Sequence, residues 1–227
     1  AEMKNAAVDG VIVSDLDIAL AVAESGISPI ASTMCGIYNS EIAKQYIENG
    51  IKRIILPREL DLREVNDIME KAPGAEYEVF MMRSGCKFSD SQCLGFHRYP
   101  YGALCENIRR SQCKVGGCED DFKLRQKVSL NETCYNSLFQ ITACGICAIY
   151  KILSMNIAAV KIVGRADKQK QILEDIQLVQ ENVEIAKHCS SENEYLEKMV
   201  FPKKRDQICF RGNSCYFPEV RFDQKII

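Results

Sequence analysis

The apolar positions of the chain keep two rhythms. Short runs rich in Val and Ile alternate with longer stretches whose apolar residues recur every three or four positions. These are the spacings of a strand and of one helix face. The run Val8–Asp15 leads into DIALAVAESG, closed by Gly26, and Ser28–Met34 leads into NSEIAKQYIENG, closed by Gly50. In the second of these helices Ile42, Ala43, Tyr46 and Ile47 share one face. IKRIILPREL then precedes DLREVNDIMEK, where Asp61 and Glu64 have capping-box spacing and Leu62, Val65, Ile68 and Met69 form the stripe. Ala75–Met82 is a fourth strand. Near the end CGICAIYKILSMN reads as helix and Ala158–Arg165 as strand; DKQKQILEDIQLVQENVEIAKH is a long helix with Ile172, Ile176, Val179 and Val183 on one face. Strands that alternate with helices of this length predict a parallel sheet, because parallel neighbours need a crossover.

Between Arg83 and Thr142 the rhythm stops. This stretch carries Cys86, Cys93, Cys105, Cys113, Cys118 and Cys134 with aromatic and basic residues interleaved. Loops this long are uncommon in compact domains unless they do something, and a metal centre would hold one in place. Beyond Cys189 the composition changes again, with a basic run at Lys203, Lys204 and Arg205 and the pair Cys209 and Cys215.

Composition sets limits on class. Hydrophobic residues make up 47% of the 227 positions and charged residues 26%, enough apolar surface to offset the entropy of ordering the chain. The longest apolar stretches are strand-length, so no membrane span is expected. AEMKNAAVDG has no basic region followed by an apolar run, and no secretory signal is expected either. The net charge of −2 makes no electrostatic case for nucleic acid.

Cysteine changes the picture. There are 12, against two histidines and no tryptophan, and eight of the 12 fall between Cys86 and Cys147. Without an export signal, clustered cysteines point to metal or redox chemistry in the cytoplasm rather than to disulfides. Cys86 and Cys93 stand six residues apart, wider than the spacing of a zinc ribbon or a thioredoxin-like pair. Thiolates gathered from separate segments suit an iron–sulfur cluster at least as well as zinc, and spacing does not choose between them.

The order of motifs resembles a known family. A strand ending Glu78-Val79-Phe80 is followed by Cys86 and Cys93, by RRSQC (Arg109 to Cys113), by Cys144, and by KIVGR (Lys161 to Arg165). Upstream, VDGVIVSD, ASTMCGIYN and ILPREL fit the same pattern. This is similar to the collagenase-like peptidase U thirty-two family over about residues 6–187. The family's pattern has His-Gly at the place of Met82-Arg83, Asn and Gly at those of Arg109 and Ser111, and Gln at that of Met34. These departures bear on the substrate pocket more than on the thiolates.

The resemblance implies an α/β fold: a TIM-like β/α barrel lacking the first two strand–helix units, with a cysteine-rich insertion. On that reading residues 1–82 are strand–helix repeats of a partial barrel and 83–142 the cluster-binding segment. Residues 143–187 form a closing helix–strand–helix, and 188–227 a cysteine-containing tail. It also implies a 4Fe–4S cluster on Cys86, Cys93, Cys113 and Cys144, with zinc as the alternative. The activity implied is oxygen-independent hydroxylation of a small aromatic or a nucleobase, with prephenate as a possible hydroxyl donor. An incomplete barrel exposes strand edges, so a homo- or hetero-oligomer is expected. Two other readings stand beside this one: a non-catalytic, cluster-bearing partner subunit, and the peptidase that the family name asserts. For the peptidase there is no H-E-x-x-H, and His97 and His188 come with no nucleophile signature.

Four residues form the expected substrate-binding set. Arg58 follows a strand, where β/α-barrel sites lie, and suits either a bidentate contact to a carboxylate-bearing donor or an ion pair at a strand end. Arg165 has the same two readings. Glu78, inside a strand, suits a buried partner for Arg58 or Arg165 better than acid–base duty. Asn39, like Asp15, either caps a helix or lines the loop. Cys35, Cys105, Cys118, Cys134, Cys147, Cys189, Cys209 and Cys215 have no assigned role. A second small metal site on Cys189, Cys209 and Cys215 is one option for the tail.

Overall fold

The computed structural model describes residues 8–83, 85–86, 89–93, 143–164, 167–203 and 215–220. Five strands, β1 (Val11–Val13), β2 (Pro29–Ala31), β3 (Arg53–Ile55), β4 (Glu76–Met82) and β5 (Ala159–Ile162), form one sheet in the order β1-β2-β3-β4-β5. Every pairing is parallel. The connecting helices are α1 (Leu16–Glu24), α2 (Ser40–Glu48), α3 (Leu62–Lys71) and α4 (Ile149–Ser154), and α5 (Gln169–Lys187) and α6 (Glu192–Lys198) follow β5.

Helices α1, α2, α3 and α6 begin where a polar side chain satisfies the first unpaired amides, whereas α4 and α5 have no side-chain cap. Asp15 accepts from the Ile18 N–H at 2.9 Å, and Asn39 does the same for Ile42 at 2.9 Å. Asp61 and Glu64 close the capping box that the sequence predicts for α3. Parallel strands that follow one another without reversal place each right-handed crossover on the same side of the sheet. The register shows the result. Val13, Ala31, Ile54 and Tyr77 form one cross-sheet row, and all four are buried under helices. The next row, Ile12, Ile30, Arg53 and Glu76, faces the other way; Ile12 is 55% exposed. Towards the carboxyl ends that second face closes, and Phe80 is buried.

Two elements differ from the expectations above. In α5 the buried positions are Asp175, Val179, Asn182 and Ala186, whereas Ile172, Ile176 and Val183 are only half-buried. The inward face is therefore rotated by about one residue from the apolar stripe, because two polar side chains have partners inside. Asn182 accepts from Val200 N–H at 3.0 Å and donates to the Leu178 and Val200 carbonyls. Tyr195, fully buried, donates to the Ile146 carbonyl at 2.6 Å. The second difference is α6, which lies in the tail and was not anticipated; it carries Tyr195 into that core.

Candidate functional site at the carboxyl ends of the strands

The end of β4 organises the site. A bulge between Phe80 and Met82 interrupts its ladder with β5, and the strand then acquires a second neighbour. Gly145 N–H donates to the Met81 carbonyl at 2.8 Å and Arg83 N–H to the Ala143 carbonyl at 2.8 Å, so Met82 and Cys144 pair in antiparallel sense. Two residues further, Gly85 lies against Ala143; a Cβ on Gly85 would sit 2.3 Å from the Ala143 Cβ. Only glycine permits this approach, and it brings the Cys86 backbone to the segment that carries Cys144. On its other side Cys144 pairs in parallel sense with Cys215, and Tyr216 N–H donates to the Cys144 carbonyl at 3.0 Å. The Tyr216 hydroxyl reaches back to donate to the Arg83 carbonyl.

The segment between Cys86 and Cys93 is pinned from below. Asp90 accepts from the Thr33 hydroxyl, just after β2, at 2.8 Å, and forms an ion pair with Arg58, just after β3. The two charged side chains are only 8% and 7% exposed. Arg58 also lies over the Phe80 ring, 4.5 Å from its centroid, and Phe80 packs on Tyr216 at 5.8 Å. The Tyr38 hydroxyl meets Glu59 at 2.9 Å and the Ser89 hydroxyl, which in turn meets Ser91 at 3.0 Å. Gly36, at φ 66°, turns the chain so that Ser91 can lie above it. Cys93 N–H donates to the Asp90 carbonyl at 3.2 Å.

Charges here are matched to burial. Burial alone would pull the Arg58 guanidinium down, but Asp90 against it, together with Tyr216 and Cys86 nearby, more than reverses this, and its pKa is raised. Burial pushes the Tyr216 hydroxyl well above the ordinary tyrosine range, despite the nearby Arg58 cation. It is therefore a permanent donor. Arg83, the residue at the place of the family's glycine, takes the left-handed backbone at φ 65°. Asp175 of α5 pairs with its side chain, and Asp167 stands 3.7 Å away.

Of the expected metal ligands, Cys86, Cys93 and Cys144 are all at this end of the sheet. Cys113 lies outside the described residues, as do Arg165, His97, Cys105, Cys118, Cys134 and Cys209. Among the described residues no three thiols, imidazoles or carboxylates are gathered as a metal site. The donor set in hand is thiolate, the soft type that suits iron–sulfur or zinc. Arg58 meets Asp90 and not Glu78. Glu78 is half-buried and forms no ion pair among the described residues, so of the two partners expected for it Arg58 is taken by Asp90 instead, and Arg165 lies outside the described residues. Asn39 serves as the α2 cap.

Cys35, whose thiol is raised chiefly by burial, donates to the Val13 carbonyl at 3.4 Å and behaves as a core residue. Cys147 is buried in the turn Ile146–Ala148, and Cys189 borders a groove with Glu184, His188 and Lys198. Sequence reasoning did not single out Thr33, Asp90, Asp175 or Tyr216, and did not pair Cys215 with Cys144. For Asp90 there was one signal, a carboxylate between two candidate ligands.

Comparison with known proteins bears on the family of the chain. The sequence model of Peptidase family U32 matches residues 1–215. The chain is 32% identical over 120 residues to the tRNA hydroxylation protein P of Escherichia coli (strain K12), which covers 50% of this chain and 26% of that protein. It is 29% identical over 140 residues to the protein of the same name from Helicobacter pylori (strain J99), covering 59% of this chain and 33% of the relative. It is 28% identical over 217 residues to an uncharacterized protease of Methanocaldococcus jannaschii, covering 89% of this chain and 49% of the relative. The chain thus spans between about a quarter and a half of the length of these curated relatives. No solved structure matches it. Among the described residues no helix is long and apolar enough to cross a membrane. A family match that runs from residue 1 to residue 215 leaves one conclusion: the chain belongs to Peptidase family U32.

Proposed function

We propose that this chain is an iron–sulfur protein of the cytoplasm that supports oxygen-independent hydroxylation of a nucleobase in tRNA. Cys86, Cys93, Cys113 and Cys144 would hold a 4Fe–4S cluster, which when bound supplies one-electron chemistry. The five sequential parallel strands are, on this reading, part of a β/α barrel whose site lies at the carboxyl ends. The observation that carries the proposal is the contact of Gly85 with Ala143. It brings two candidate ligand segments, 58 positions apart in sequence, to the same strand end. The tRNA substrate is suggested by what the bacterial relatives are called.

The chain's own residues have defined tasks in this reading. Arg58 and Asp90 hold the Cys86–Cys93 segment down on β2 and β3, and Arg58 places positive charge under the thiolates. A donor such as prephenate would then have to meet a cation other than Arg58, whose carboxylate partner is Asp90. Phe80 and Tyr216 exclude water below the site, and Tyr216 fixes the Arg83 carbonyl.

Anaerobic purification with iron, sulfide and zinc analysis tests the reading. About four irons and four sulfides per chain, with a broad visible absorbance bleached by dithionite, is the expected result. Stoichiometric zinc instead would make the cysteine-rich segment a structural clamp and the chain a binding partner. With iron established, tRNA from a deletion strain complemented by this chain should gain one oxygen atom on a modified base. Unchanged tRNA would remove the substrate from the proposal.

A further inference from the structure

We infer that Cys144 and Cys215 are a peroxide-sensitive thiol pair, which closes to a disulfide in the metal-free chain and so withholds Cys144 from the cluster. The withholding rests on Cys144 being a ligand as proposed above; the pairing itself does not. It comes from the backbone. Cys144 and Cys215 are direct partners across a parallel bridge, fixed by the Tyr216 N–H bond to the Cys144 carbonyl at 3.0 Å. Side chains alternate along each extended segment, so direct partners present theirs on the same side. Paired segments lie about 4.8 Å apart, inside the roughly 4.4–6.8 Å between Cα atoms that a disulfide spans. Neither segment is free to drift. Cys144 is held from its other side by Met82, and Tyr216 and Phe217, next to Cys215, are buried in the core.

The exposures assign roles to the two sulfurs. Cys215 is half-buried and Cys144 buried, so a small oxidant from solvent meets Cys215 first. The Cys215 thiolate attacks one oxygen of hydrogen peroxide. The O–O bond breaks, leaving a sulfenic acid on Cys215 and a hydroxide that takes up a proton as water. The Cys144 thiolate then attacks the sulfenic sulfur, the S–O bond breaks, and the second oxygen leaves as water. The two sulfurs lose two electrons in total, and one peroxide becomes two waters. A third thiol is close in sequence, Cys147, but it is buried in the turn Ile146–Ala148 and not on the bridge that joins Cys144 to Cys215.

The test uses the whole chain, purified anaerobically and stripped of metal by a chelator. It is treated with hydrogen peroxide and mapped as non-reduced tryptic peptides. The expected product links the peptide of Cys144 to that of Cys215. The link should vanish in C144S and C215S and persist in C147S. Because Cys215 is half-buried, C215S keeps the test readable if C144S does not fold. Iron uptake on reconstitution should fall by about tenfold after peroxide and recover with dithiothreitol, while C215S retains it. A link from Cys215 to any other cysteine, or sulfinic acid with no link, overturns the pair. A correct link with undiminished iron uptake overturns the withholding. A chain that takes up no iron even when reduced overturns the cluster reading, and the peptide map then judges the pair by itself.

Discussion

Two arginine–carboxylate pairs sit at opposite ends of β3, and they do different things with the same chemistry. At the amino end Arg53 meets Glu76 across the β3–β4 register at 2.6 Å, with side chains 38% and 58% exposed. Just past the carboxyl end Arg58 meets Asp90, both nearly enclosed. Water screens the first pair and makes it almost optional. The second has lost its water, so each charge depends on the other and on the Thr33 hydroxyl. Burial turns an ornament of the sheet into a fixed joint for the segment between Cys86 and Cys93. The sheet is thus soft in its charges at one end and committed in them at the other, the end that carries the thiols.

Substitutions can break this comparison. Asp90→Ala leaves the Arg58 charge enclosed without that carboxylate and should cost about 3–5 kcal/mol, read from the urea midpoint. A loss below about 1 kcal/mol would mean that water reaches Arg58 and the two ends are alike. Tyr216→Phe removes the hydroxyl on the Arg83 carbonyl and should cost about 1 kcal/mol, with the fold retained. Glu76→Ala should cost no more than about 0.5 kcal/mol and less still in high salt; a salt-independent loss would contradict screening.

The smallest effect sharpens the rule that burial and not geometry sets the value of a charge. Glu194, at the surface with its side chain 31% exposed, is pushed down to about 2 by Lys198 and by the Ser190 hydroxyl and amide. Its folded pKa lies below the ordinary 4.5, so what stability it lends is present above 4.5 and is lost as pH falls towards 2. An NMR titration of that carboxyl should show the lowered midpoint while the unfolding midpoint scarcely moves across the same interval. A midpoint at the ordinary value would show that the three donors do not hold it.

Much of the fold was legible because periodicity is a local property. Strand runs and helical stripes recur at 2.0 and about 3.6 residues, and Asp61 and Glu64 announce their cap three positions apart. Pairings across the chain were not legible in that way. Asp90 lies 32 positions from Arg58 and Asp175 lies 92 from Arg83, and no spacing rule links them. The inward face of α5 was misjudged for the same reason, since Asp175 and Asn182 are buried by virtue of partners elsewhere. Helix α6 has one buried apolar side chain, Tyr195, and so no stripe to find. Its cap was visible all the same: Ser191 accepts from the Glu194 N–H at 3.2 Å, three positions on. In the candidate site the thiols were found by clustering, whereas the clamp that seats them came only with the structure.

Arg83 decides how this site could be transplanted. It holds a left-handed backbone at φ 65° where the family pattern has glycine, which adopts that conformation freely. Asp175 and the Tyr216 hydroxyl hold it in place. A chimera that brings glycine to position 83 has no need of Asp175. One that carries Arg83 into a relative's scaffold without an acid at the position of Asp175 inherits a strained backbone and an uncompensated charge together. The portable module is therefore not the cysteine segment alone but that segment with the second turn of α5, two pieces 92 positions apart that have to move as one.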